Sequence, residues 1–235
     1  MLIIACDTSG AALSAAIWRD ERLVAETTIQ SGQPHSVTLM PLIEDLLQRT
    51  NLAIAEIDAF ACAVGPGSYT GIRIGVSAIK ALAYAAGKPA IGVSTLEAMA
   101  WPYAACPDLV VCPMIDARNH RIYAAAWQNG EELIPEANFL ASDFVSALQT
   151  IDPASILLIG LGQVRQPVEF FASCGKGVLT GTHVAPAVAA PARAAAIAEL
   201  AALRLSQGDD GLPQHLLPQY LSPSQAERLK AARDA

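Results

Sequence analysis

The sequence predicts an α/β chain of two lobes, each a mixed sheet with helices, on three observations. At 235 residues the chain suits one large domain or two lobes of ordinary size, each able to bury a core. Hydrophobic residues make up 53%, charged residues 16%, and 45 residues are alanine, a composition of closely packed small side chains that excludes fibrous and disordered classes. The pattern also starts again near residue 109. An offset of 109 lays Asp7 on Asp116, and Ala15-Ala16-Ile17-Trp18 on Ala124-Ala125-Ala126-Trp127. A repeat that long implies two lobes on one plan rather than a solenoid.

Each element has a local signal. Residues 2–6, 12–18 and 23–28 are runs of strand length separated by turns at Thr8-Ser9-Gly10 and Arg19-Asp20-Glu21-Arg22, which makes a β-meander. After the Ser31-Gly32-Gln33-Pro34 break, Leu39, Leu42, Ile43, Leu46 and Leu47 recur at helical spacing to about Arg49. Residues 57–64 form the next strand. Residues 71–86 form a helix that stops at Gly87, with Pro89 beyond it, and residues 90–93 another strand. Ser94-x-x-Glu97 is the pattern of a capping box. In the second half, Asn129-Gly130 marks a hairpin, residues 142–149 and 166–173 are helical, residues 156–161 a strand, and residues 191–208 an alanine-rich helix. The expected organisation is a first lobe over 1–108, a second over 109–208 whose last helix can pack back on the first, and a polar tail over 209–235 with an apolar patch at Leu216-Leu217-Pro218-Gln219-Tyr220-Leu221.

Charge narrows the function. Lys and Arg number 15 against 22 Asp and Glu, a net charge of −7, which opposes tight nucleic-acid binding by this chain alone. No uncharged stretch reaches the roughly 18–20 residues of a membrane span, and the start lacks the basic region of a secretory signal, so a cytoplasmic location is expected. Cys6, Cys62, Cys106, Cys112 and Cys174 form no C-x-x-C pair, and His35, His120, His183 and His215 form no metal-ligand pair.

Two lobes that each open with strand, aspartate, turn and returning strand resemble the actin/sugar-kinase/heat-shock ATPase architecture, the ribonuclease H-like (ASKHA) fold, in which paired hairpin loops grip nucleotide phosphates. Asp7, Thr8 and Ser9 stand where the first such loop belongs. Asp116 stands at the second, followed by Ala117-Arg118-Asn119-His120, with neither glycine nor Ser/Thr for phosphate. Gly65-Pro66-Gly67-Ser68-Tyr69-Thr70-Gly71-Ile72-Arg73-Ile74-Gly75 has no lysine beside its last glycine and is not a P-loop. It reads either as an anion-binding helix start or as a sharp turn with close packing at Gly71 and Gly75. The helices around Leu39–Leu47 and 71–86 are apolar on more than one face, so both faces are buried or one docks a protein.

The Gly65-to-Gly75 run, with Ala5-Cys6-Asp7-Thr8-Ser9, His35-Ser36, Leu39-Met40-Pro41-Leu42-Ile43, Gly92-Val93-Ser94-Thr95-Leu96, Ile115-Asp116-Ala117-Arg118 and Ile122-Tyr123, resembles the bacterial TsaB (YeaZ-like) family, the non-catalytic branch of the TsaD/glycoprotease-like proteins. The resemblance implies an activating scaffold for N6-threonylcarbamoyladenosine formation beside the anticodon of tRNAs that read codons beginning with A. It further implies pairing with the catalytic paralogue TsaD, action with the ATPase TsaE, and TsaC as supplier of threonylcarbamoyl-adenylate. ATP and metal are expected on partner subunits, none on this chain, with tRNA met only through the complex and a homodimer when alone. The paralogue's H-x-x-x-H metal pair is halved here, since His35 is followed by Leu39. The implied site has no catalytic residues. Its vestigial phosphate loops are Asp7, Thr8, Ser9 and Asp116; its motif turn is Gly65, Gly67, Ser68, Tyr69, Thr70, Gly71 and Arg73; and its partner interface is Leu39, Ile43, Leu46, Ile72, Val76, Ile79 and Leu82. The alternative is an ATP-dependent phosphotransferase or peptidase of the same fold. The tail departs from the family pattern, with Ser222 after Tyr220-Leu221 in place of arginine.

Overall fold

The computed structural model describes residues 1–151, 153–160 and 167–222. Alternation of side chains along apolar runs builds two five-stranded sheets of the same connectivity. In the first, β1 (Leu2–Asp7), β2 (Leu13–Arg19) and β3 (Arg22–Ile29) form an antiparallel meander, and β4 (Ala59–Gly65) and β5 (Ala90–Ser94) add parallel strands beyond β1, in the order β3-β2-β1-β4-β5. In the second, β6 (Val110–Arg118), β7 (Arg121–Gln128) and β8 (Glu131–Leu140) form the meander, with β9 (Ile156–Ile159) and β10 (Thr182–Val184) parallel beyond β6. Helices keep the same plan. α1 (His35–Thr50) and α4 (Ala141–Ile151) follow the meanders, α2 (Tyr69–Ala86) and α5 (Pro167–Ser173) link the parallel strands, and α3 (Thr95–Ala100) and α6 (Ala194–Ser206) follow the last strands. The two-lobed mixed-sheet fold read from the repeat is the observed one.

The faces of the first sheet differ in side-chain size. Toward α1 and α2 it presents Leu2, Ile4, Ile17, Phe60 and Val64, packed on Leu39, Leu42, Ile43 and Leu46 of α1 and on Ile72, Val76, Ile79 and Ala83 of α2. The opposite face presents Ala5, Ala16, Ala59, Ala61 and Ala63, and α6 lies across it through Ala194, Ala198 and Ala201. Small side chains on both partners permit that close approach. Trp18 and Trp127, the pair related by the 109-residue offset, join this same central cluster with α3. The second lobe's far face is covered separately by Phe144, Val145, Leu148, Phe170 and Phe171.

Several boundaries differ from the sequence expectation for local reasons. α2 begins two residues early because Ser68 caps it, its Oγ accepting from Gly71 N at 3.2 Å. Ser94 caps α3 through Leu96 N and Glu97 N, but the Glu97 carboxylate pairs with Arg204 instead of returning to the cap, so the reciprocal half of the capping box is absent. The Asn129-Gly130 hairpin leads into β8, whose own residues carry no clear strand pattern because it is an edge strand rich in glutamate that carries Pro135, which an edge tolerates. Of the predicted strand 156–161 and helix 166–173, Leu161 and Gln166 lie outside the described residues.

α6 has no cap of its own. Its first amides are met by the first sheet: Ala194 N donates to Ser14 Oγ at 3.2 Å and Ala195 N to Glu26 Oε1 at 3.0 Å, while Arg193 pairs with the other Glu26 oxygen. The Glu26 side chain is 4% exposed, so its charge sits at a helix N-terminus with little solvent screening. Glu26→Ala removes the Ala195 amide bond and the Arg193 pair together and is expected to cost about 2–3 kcal/mol in urea-melt stability. A variant within about 0.5 kcal/mol of the parent would contradict this anchoring role.

Candidate functional site

The end of β1 carries the first phosphate-loop candidate, and it is closed. Asp7, Thr8 and Ser9 are 2%, 1% and 4% exposed. Ser9 N donates to Asp7 Oδ1 at 2.9 Å, folding the turn on itself. The start of α2 then covers it: Ser68 N donates to Ser9 O at 2.7 Å, and Thr8 Oγ1 to Gly71 O at 2.7 Å. A Cβ on Gly67 or Gly71 would fall inside contact distance of the Ser9 or Thr8 carbonyl oxygen, and one on Gly75 would lie 2.5 Å from Thr8 Oγ1. Gly65, at φ +117, makes the turn out of β4. The glycines of the motif therefore let one backbone lie directly on another.

Burial pushes the Asp7 carboxyl up to about 6, against the hydrogen bonds from Ser9, the charge of His35 and the Thr8 amide, which pull it down. His35, the first residue of α1, reaches the same turn through Nε2 and Gly10 O at 2.9 Å. The second loop is built otherwise. Asp116 is exposed and, among the described residues, accepts only from Arg118 N at 2.7 Å, and Arg118, Asn119 and His120 all hold left-handed φ angles. Among the described residues no group of three His, Cys, Asp or Glu is placed to hold a metal ion. Cys6, Cys62 and Cys112 are buried, with burial raising each thiol, so they behave as small apolar side chains. No helix among the described residues is long and apolar enough to cross a membrane.

A family model described as TsaD, tRNA N6-adenosine threonylcarbamoyltransferase, matches residues 24–165. The tRNA threonylcarbamoyladenosine biosynthesis protein TsaB of Bacillus subtilis is 35% identical over 162 residues, covering 67% of this chain and 70% of that protein. The chain belongs to the TsaB (YeaZ-like) family. The Escherichia coli TsaB is 36% identical over 134 residues, or 56% of this chain and 57% of that one. Among solved structures, YeaZ from Pseudomonas aeruginosa superposes with a TM-score of 0.72 at 24% identity, covering 94% of this chain and 99% of that one. A ROK hexokinase from Thermus thermophilus does so at 0.55 and 12% identity, covering 88% and 100%. These structural likenesses are of fold, and the shared fold is the two-lobed actin-like one.

Membership in the TsaB family sharpens the question of which first-lobe side chains face outward. Leu39, Ile43, Leu46, Ile72, Val76 and Ile79 are at most 4% exposed and form this chain's own core beneath α1 and α2. The interface expected from them is therefore corrected: they hold the helices on the sheet, and only Leu82, half-buried, reaches the surface. The large apolar side chains that α1 and α2 present outward are Val37, Met40 and Tyr84, together with Tyr69 at the start of α2. The stripe of leucines and isoleucines was legible, but its periodicity does not say which surface it faces.

Sequence reading also missed the partners of the motif turn. Tyr69 stacks on Tyr220 with ring centroids 4.7 Å apart, and the Arg73 guanidinium lies 4.1 Å over the Tyr69 ring while Nε donates to Tyr220 Oη at 2.9 Å. Tyr220 arrives on a strap that is not a free tail. Ala90 N donates to Gly211 O and Gln219 N to Val64 O, each at 2.7 Å, Leu216 is buried under α2, and Lys80 holds the carbonyls of Gln214 and Leu216. The only advance signal was the apolar patch at residues 216–221; residues 223–235 lie outside the described residues.

Two measurements test this site. Gly71→Ala would gain about 1 kcal/mol from helix propensity alone, yet the clash with Thr8 is expected to win and lower stability by roughly 3 kcal/mol, read as a fall in urea midpoint. For Asp7, the unfolded carboxyl ionises near 3.8 and the folded one near 6. The native state thus holds the extra proton between those values, and stability falls as pH rises from about 4 to about 6, by roughly 3 kcal/mol in all. Asp7→Asn should flatten that slope and raise stability at pH 7, checked by urea melts from pH 4 to 8.

Proposed function

We propose that this chain is a non-catalytic scaffold and activator in the formation of N6-threonylcarbamoyladenosine in tRNA, at the adenosine beside the anticodon of tRNAs reading A-starting codons. The observation that carries the reading is the closed Asp7-Thr8-Ser9 turn. A nucleotide grip in this fold needs hairpin amides open to the cleft from both lobes. Here the start of α2 fills the first loop, and the second offers Asp116 with no glycine or hydroxyl beside it. TsaB membership supplies the pathway. Chemistry, ATP and metal then belong to partners, TsaD as heterodimer mate and TsaE as ATPase, and tRNA reaches a chain of net charge −7 only through them.

Pairing with TsaD is assigned to the outward side of α1 and α2, where Val37, Met40 and Tyr84 are exposed. The same side serves a homodimer when the chain is alone.

Mixing the chain with TsaD is expected to give co-elution, and omitting it from a reconstituted reaction to abolish threonylcarbamoyl transfer to tRNA. Val37→Asp with Met40→Asp should weaken pairing at least tenfold without changing the melting temperature. Full transfer in its absence would overturn the activator role; normal pairing by the double variant would overturn the surface.

A further inference from the structure

α2 is a cationic helix on an acidic chain. It carries Arg73 and Lys80 and no aspartate or glutamate, while the whole chain has a net charge of −7. Positions 69, 73, 80 and 84 recur at helical spacing, so Tyr69, Arg73, Lys80 and Tyr84 share one stripe of the helix. The Lys80 ammonium is taken up by the carbonyls of Gln214 and Leu216. Arg73 is exposed, and among the described residues no carboxylate lies within ion-pair distance of it.

The head group of Arg73 is nonetheless fixed. Its guanidinium lies 4.1 Å from the Tyr69 ring centroid and 6.0 Å from that of Tyr220. Nε donates to Tyr220 Oη at 2.9 Å and Nη2 to Tyr69 Oη, which occupies the side edge of the guanidinium. The end edge, Nη1 with the remaining hydrogen of Nη2, donates to nothing among the described residues. A surface arginine normally loses rotamer freedom when it binds; one already held by two rings and two hydroxyls has little left to lose. The open edge is planar and matches both oxygens of one carboxylate.

We propose that Arg73 anchors the protein that docks on α2 by taking an aspartate or glutamate carboxylate of that partner in a bidentate pair, with Tyr69 and Tyr220 walling the pair from water. The inference rests on the pairing assigned above to the outward side of α1 and α2, which this stripe continues through Tyr84. Tyrosine and arginine are the residue types that carry much of the binding energy at protein interfaces, and both rings here are 40% exposed. An RNA backbone is the poorer fit. It needs a row of phosphate contacts, whereas α2 offers a single cation with an open edge on a chain whose field repels phosphate.

The test is calorimetric titration of TsaD with the full chain at low and at high salt. The parent pairing is expected to weaken as salt rises. Arg73→Gln should weaken it at least tenfold at low salt and remove most of that salt dependence, which a purely structural hold on the strap would leave in place. Arg73→Lys, which keeps the charge without the fork, should fall between the two. Lys176→Gln, an equal charge change beyond α5 in the second lobe, should match the parent. Absence of pairing by the parent chain would overturn the surface assigned above and this anchor with it. Pairing that is normal in Arg73→Gln, or equally weakened in Lys176→Gln, would overturn the anchor alone. So would undiminished affinity in Arg73→Lys, which decides the matter should Arg73→Gln melt early. Saturable binding of tRNA by the isolated chain that is lost in Arg73→Gln would assign the guanidinium to phosphate and likewise overturn it.

Discussion

The start of α2 lying on the Asp7-Thr8-Ser9 turn is the contact on which the first lobe's geometry depends. It combines a helix cap, two backbone-directed hydrogen bonds and three glycines with no room for a side chain. Because that contact fixes where α2 begins, it also fixes the face on which Ile72, Val76 and Ile79 point into the sheet and the edge on which Tyr69 and Arg73 meet the strap. Interiors are close-packed, so these placements move together or not at all. An anion-binding helix start needs its first amides free. In this chain the amide of Ser68 is spent on Ser9 and that of Gly71 on the Ser68 hydroxyl, so this part of the motif packs inward.

The composition follows from the same sheet. One face meets two amphipathic helices and carries large side chains; the other meets α6 and carries alanines. A helix bearing alanine toward alanine settles close to the strands, with Ala194, Ala198 and Ala201 buried between helix and sheet. That is why a chain so rich in alanine and so poor in charge looks chemically blank in sequence yet forms a layered structure with a shared centre at Trp18 and Trp127.

Much of this was readable in advance. The first meander, α1, α2 and the two-lobe repeat follow from periodicity and turn residues. β8 was marked only by the Asn129-Gly130 turn, because its glutamates and Pro135 blur an edge strand, and β10 was not readable because three residues carry no period. The strap was hidden because it is held largely through backbone groups of Gly211, Gln214 and Gln219, which any residue supplies. The Glu97–Arg204 pair was hidden because its members come from distant segments. The partner surface was misplaced for a different reason: an apolar stripe reports that it is buried, and the sheet beneath had the stronger claim to it.

The inner face of the first sheet is completed only by α6, and its edge only by the strap, both encoded about one hundred residues after β5. A ribosome therefore releases the whole of the first sheet before anything exists to cover Ala5, Ala16 and Ala61. During synthesis the earliest lobe cannot finish first; it waits, with one face bare, for the second to be made. The two lobes are consequently one unit for quality control, because a chain cut short anywhere before residue 206 leaves an uncovered apolar sheet for chaperones and proteases to find.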